Sequence, residues 1–82
     1  MKYWIDGQIV DKKKAQVPLL THSLHYGSAV FEGIRFYKTD AGSAVFRLKD
    51  HLQRLFYSAE VMGMKLPYSL KKTEEAVLEV IR

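Results

Sequence analysis

From Lys49 onward the apolar residues of this chain recur every three to four positions, whereas before it they come in short β-prone runs, so the pattern divides the sequence into strands first and helices after. Tyr3-Trp4-Ile5 and Gln8-Ile9-Val10 are two such runs joined by Asp6-Gly7, the strongest short-range hairpin signal. Residues 11 to 23 are polar with one Pro and predict an irregular connection. Ala29 to Tyr37 is rich in β-branched and aromatic residues, Thr39-Asp40-Ala41-Gly42 supplies turn chemistry, and Ala44-Val45-Phe46-Arg47 resumes a strand, which predicts a second hairpin. Beyond Lys49, Leu52, Leu55, Phe56, Ala59 and Met62 fall on one helical face, and Gly63 and Pro67 end that helix. Ser69 is placed to cap a second helix, in which Leu70, Val77, Leu78 and Ile81 share a stripe and Glu74 and Glu75 lie toward the start.

The order of elements predicts an α+β fold, an antiparallel sheet of short strands and hairpins covered by two C-terminal helices. With 82 residues, the chain is one domain at most, residues 1–82. The last helix reaches Arg82 without Gly, Asn or Pro, which predicts that part of its apolar cover lies in sequence beyond that residue.

Charge narrows the functions available. The net charge is +4, yet the one basic run, Lys12-Lys13-Lys14, follows a turn-like Asp11 and has no aromatic residues interleaved to stack on bases. A solvated loop is expected there, not a nucleic-acid surface. No apolar run approaches the ~20 residues of a membrane span, and MKYWIDG lacks the apolar core of a signal peptide. The absence of cysteine removes disulfides, metal thiolates and a thiol nucleophile, and fits a reducing, cytoplasmic setting.

Candidate chemistry concentrates in HSLHYGSAVFEGIRFY, residues 22 to 37. His22, His25 and His51 do not have the spacing of a metal set, because the first two fall in a predicted loop and no Glu stands where a zinc hydrolase needs one. Gly27 and Gly33 do not form a phosphate loop of either common pattern. Gly33 lies between Glu32 and Ile34 in a predicted strand, where glycine is unfavourable unless a bulge or a close ligand requires it. Glu32 and Arg35 point to opposite faces of a regular strand and cannot pair without a bulge. From the residues alone, Tyr26, Phe31, Phe36 and Tyr37 read as core. Arg54, one turn from His51 on the first long helix, reads either as a solvated or salt-bridged side chain or as a planar fork for a phosphate.

Taken in order, His22-Ser23-Leu24-His25-Tyr26-Gly27, then Val30-Phe31-Glu32-Gly33-Ile34-Arg35 with Tyr37, then Val45-Phe46-Arg47 and His51-Leu52-Gln53-Arg54-Leu55 resemble the N-terminal segment of branched-chain amino acid aminotransferases. These are class IV, fold-type IV enzymes that depend on pyridoxal 5'-phosphate. The resemblance covers nearly the whole chain, the Trp4-Ile5-Asp6-Gly7 hairpin included. It implies the small N-terminal lobe of such an enzyme, with Arg54 gripping the cofactor phosphate and Tyr26, Phe31, Gly33 and Arg35 lining or supporting the substrate pocket. It implies a homodimer or higher homo-oligomer in which Tyr26 reaches toward the partner's active site. The implied reaction moves the amino group of Leu, Ile or Val to 2-oxoglutarate through a lysine that holds the cofactor as a Schiff base. None of the lysines here stands in a context matching that lysine, so the 82 residues alone are expected to be catalytically silent and to bind the cofactor weakly. A D-amino acid aminotransferase or aminodeoxychorismate lyase of the same fold, or a non-catalytic binding or dimerisation module, are the competing expectations.

Overall fold

Asp6 and Gly7 both take positive φ, 50° and 88°, the geometry a two-residue hairpin turn needs to follow the right-handed twist of its strands. In the computed structural model, which describes residues 2–82, they join strands β1 (Tyr3–Ile5) and β2 (Gln8–Val10) with Trp4 opposite Ile9. The second hairpin pairs β3 (Phe36–Thr39) with β4 (Gly42–Val45), Phe36 opposite Val45. Its turn is tied by the Thr39 hydroxyl, which donates to the Gly42 carbonyl at 2.5 Å and accepts from the Ala41 amide at 3.3 Å. The expected α+β class is what the chain adopts, with the strands in two separate two-stranded ladders.

Three helices complete the elements: α1 (His22–Tyr26), α2 (Leu48–Val61) and α3 (Leu70–Ile81). The long helices end where the sequence predicts, and α2 starts one residue earlier, at Leu48. At the end of α2, Gly63 takes φ 73°, its amide donates to the Glu60 carbonyl at 3.0 Å, and the Met64 amide donates to Ala59 at 2.8 Å, a Schellman motif. Ser69 caps α3 through its hydroxyl, which accepts from the Lys72 amide at 3.1 Å.

Two expectations need correction. The connection over residues 11 to 23 contains the start of α1, a single turn closed by Gly27 at φ 69°. Five residues are too few for a 3.6-residue period to show. The strand expected over Ala29 to Tyr37 pairs only from Phe36. The Phe46 amide adds one bond, to the Arg35 carbonyl at 2.9 Å, but the partner strand then runs out, because Arg47 turns left-handed at φ 50° and α2 begins. Residues 30 to 35 therefore stay extended without a ladder, and Val30, Glu32 and Ile34 are partly covered while Phe31, Gly33 and Arg35 are exposed.

The chain divides into two compact units, one of residues up to Ala29 with Glu75–Arg82, the other of Val30–Glu74. In the second unit, Leu48, Leu52 and Ala59 form the buried stripe of α2. Leu52, 1% exposed, contributes about 1.5 to 3 kcal/mol by leaving water. In the first unit the buried residue is Ala76 on α3.

Candidate functional site

The extended stretch 30 to 35 and the first half of α2 meet through a carboxylate. The Glu32 side chain is 7% exposed, although it stands in an apolar run, and a carboxylate withdrawn from water this far has to be paired. Arg54 meets it with a two-pronged contact: Nε donates to Oε2 at 2.7 Å and Nη2 donates to Oε1 at 2.6 Å. His51, one turn earlier, approaches Oε1 with Nδ1 at 2.8 Å.

These contacts fix the protonation pattern. Hydrogen bonds from Arg54, then from His51, hold the Glu32 carboxyl down from its ordinary 4.5 to about 2, against the opposing effect of burial. Glu32 in turn pushes the Arg54 guanidinium above its ordinary value, first through the same hydrogen bonds. An ionised carboxylate only accepts, so Nδ1 of His51 carries a hydrogen and donates it. The 3.4 Å approach of Arg54 Nη2 to that nitrogen is then a contact between two donors. The imidazole is held in one tautomer by the acid beside it.

Arg54 is committed along one edge only. Its Nε hydrogen and one hydrogen of Nη2 serve Glu32, which leaves the other Nη2 hydrogen and both on Nη1, on a side chain 65% exposed. Beside it lies an open cavity of about 370 Å³ lined by Phe46, Arg47, Asp50, His51 and Arg54. Arg47 is itself paired, Nε donating to Asp50 Oδ2 at 2.8 Å across the first turn of α2. The cavity is thus walled by two guanidiniums, an imidazole, the Asp50 carboxylate and one ring, and the donors left free on the guanidiniums suit a compact anion such as a phosphate ester. Among the described residues, no group of three or more His, Cys, Asp or Glu is gathered to hold a metal.

The other expected site residues fall into two places. Phe31, Gly33 and Arg35 share one exposed face of the extended stretch, opposite to Glu32, so the alternation expected for Glu32 and Arg35 holds even without a ladder. Phe31 is 87% exposed. Gly33 needs neither positive φ nor a close neighbour, and a Cβ there would meet open space, so of the two expected reasons for it, a bulge or a close ligand, the bulge is not supported. Tyr26 belongs to the other unit, on α1, 75% exposed, its ring 4.6 Å from that of His22. His25 contacts the Leu19 carbonyl through Nε2 at 2.9 Å. Reading Tyr26, Phe31, Phe36 and Tyr37 as core is therefore wrong, since all are exposed. β-Branched and aromatic content marks a strand, not which of its faces is covered.

Residues 29–82 match the amino-transferase class IV family. The chain belongs to that family. Among relatives of this class IV aminotransferase sequence, the branched-chain-amino-acid aminotransferase of Pseudomonas aeruginosa is 48% identical over 79 residues, covering 96% of this chain and 26% of its own. Two solved branched-chain amino acid aminotransferases are similar throughout. One, from T.th. and holding pyridoxamine 5'-phosphate, is 46% identical with a TM-score of 0.96 over 99% of this chain and 27% of its own. The other, from Thermoproteus uzoniensis with norvaline, is 46% identical with a TM-score of 0.94 over 100% of this chain and 28% of its own. The chain spans about a quarter of the length of these class IV relatives.

Sequence reasoning missed Glu32 and His51 as members of the site. Two signals pointed to them: a lone acid between Phe31 and Gly33 in an apolar run, and His51 three positions before Arg54 on one helix flank.

Proposed function

We propose that these residues form the part of a branched-chain amino acid aminotransferase that anchors the phosphate of pyridoxal 5'-phosphate and borders the substrate, in the transfer of the amino group of Leu, Ile or Val to 2-oxoglutarate. The observation that carries the reading is the free outer edge of Arg54 beside the cavity that it lines with Arg47 and His51. When bound, pyridoxal phosphate supplies the carbonyl that exchanges with the amino group and the ring that draws electrons from the substrate α-carbon. Arg54 holds the phosphate, a fixed point from which the rest of the group is oriented. Phe31 offers apolar surface to a branched side chain, Gly33 leaves room beside it, and Arg35 supports that wall; Tyr26 serves the partner's active site. The lysine that carries the cofactor comes from sequence outside these 82 residues, which by themselves form one lobe and do not complete the transfer. The assembly is a homodimer or higher homo-oligomer, and the setting is the cytoplasm. Among the described residues, no helix is long and apolar enough to cross a membrane.

The test uses the polypeptide as it occurs in its source. Pyridoxal phosphate is expected to bind far more tightly than pyridoxal, which lacks the phosphate, and Arg54→Ala should bring the two to the same level. A preference for the phosphate that stays undiminished in Arg54→Ala would remove Arg54 from the role. Amino transfer from L-Leu is expected, and transfer from D-Ala instead would move the protein to the D-amino acid branch of the family.

A further inference from the structure

Arg54 carries four χ torsions and is largely in solvent, so a guanidinium at that position has many rotamers open to it and would lose side-chain entropy on gripping a ligand. It does not wander. Glu32 takes two of its hydrogens in parallel, and that carboxylate is itself held by the His51 imidazole. Two parallel bonds define the plane of the guanidinium as well as its position. The edge left over is the one with Nη1, and Arg54 lines the cavity with His51 and Arg47.

The same pairing has a cost. A carboxylate in contact with Arg54 cancels much of the charge that a phosphate would feel, and Asp50 does the same for Arg47. A site selected only for attraction would carry no such acid. Glu32 is also the least exposed charged group of the cluster, sitting on the covered face of a stretch whose other face carries Phe31, Gly33 and Arg35.

We propose that Glu32 is a positioning residue, which fixes the plane of Arg54 so that the donors left on that guanidinium face the anion before it arrives. The proposal rests on the reading of Arg54 as the phosphate anchor. It makes Glu32 necessary for phosphate affinity through geometry, in spite of its unfavourable charge.

The test is a double-mutant cycle in the natural polypeptide, with pyridoxal phosphate and pyridoxal as the two probes and dissociation constants as the readout. Glu32→Gln is expected to weaken pyridoxal phosphate about tenfold and to leave pyridoxal unchanged. In an Arg54→Ala background, Glu32→Gln should then have no further effect. Glu32→Asp keeps the charge but withdraws the carboxylate by one methylene, and should weaken the phosphate probe as well. Tighter binding in Glu32→Gln would mean that the acid only neutralises Arg54, and would overturn the proposal. So would equal losses for both probes, or a loss that persists without Arg54, because these describe a structural residue. If Arg54→Ala leaves the preference for phosphate intact, the anchor itself is elsewhere and the inference falls with it. Should Glu32→Gln not fold, the wild type still decides. The Arg54 Nε hydrogen is expected to give a resolved, slowly exchanging NMR signal without any ligand, and a rapidly averaged one would overturn the positioning role.

Discussion

The turn that carries Tyr26 and the helix flank that carries Arg54 both belong to the motif-bearing part of the sequence, yet they are built in different ways. Around Arg54, a nearly buried acid gathers a guanidinium and an imidazole from another element and sets their distances to between 2.6 and 2.8 Å. Around Tyr26 there is one helical turn with no buried residue, held by a ring contact with His22 and the Gly27 cap. The difference follows from what each group costs when left alone. An unpaired carboxylate away from water is expensive, so it dictates its neighbours. An exposed aromatic ring makes no comparable demand, and its surroundings stay loosely specified.

That contrast can be broken by substitution. Leu52→Ala, which empties the buried stripe beneath the Arg54 flank, is expected to destabilise the protein by about 2 to 5 kcal/mol; a loss under about 1 kcal/mol in denaturant unfolding would show that α2 is not the core of its unit. Acid should act next. Glu32 has its carboxyl lowered from 4.5 to about 2 in the folded chain, so its contribution to stability is whole above pH 4.5 and is lost as the pH falls toward 2. The wild type should lose stability over that window, and Glu32→Gln should lose less over the same span; parallel acid profiles would contradict the pairing. Gly63→Ala has a smaller effect, about 1 to 2 kcal/mol, from forcing a Cβ into φ 73° where nothing else obstructs it. An unchanged melting temperature would mean that the helix end relaxes out of its Schellman geometry. Tyr26→Ala should be smallest, within about 0.5 kcal/mol in stability, while, on the function proposed above, amino transfer from leucine should fall. A large loss of stability instead would make Tyr26 a structural residue and erase the contrast.

The parts of the fold that were legible in the sequence are those with a local cause. Asp6-Gly7 specifies its turn because few other pairs tolerate two positive φ values in succession, and Gly63 and Ser69 mark helix ends because they satisfy orphan backbone groups. The period of α2 exposes Leu52 and Ala59 as buried, although Met62 on the same predicted face is exposed and Leu48 is buried before the predicted start. Residues 30 to 35 read as a strand because they are rich in β-branched and aromatic residues; such content reports a local preference, whereas a strand needs a partner, and β4 ends too soon to be one. Arg54 was identified through the family motif, and its grip on Glu32 across 22 positions was not, because spacing along a chain does not reveal which acid a helix flank will meet.

Those 22 positions bear on when the site comes into being. Every member of the Glu32 cluster and every lining residue of its cavity lies within Val30–Glu74, a contiguous run with its own hairpin and its own capped helix. Closing a loop of this length costs little more than closing one half as long, and contacts this close in sequence form early. The Glu32 cluster is therefore expected to form from that run alone. In pulse-labelled refolding, the α2 amides should be among the first protected, and their late protection would show that the run waits for contacts from elsewhere.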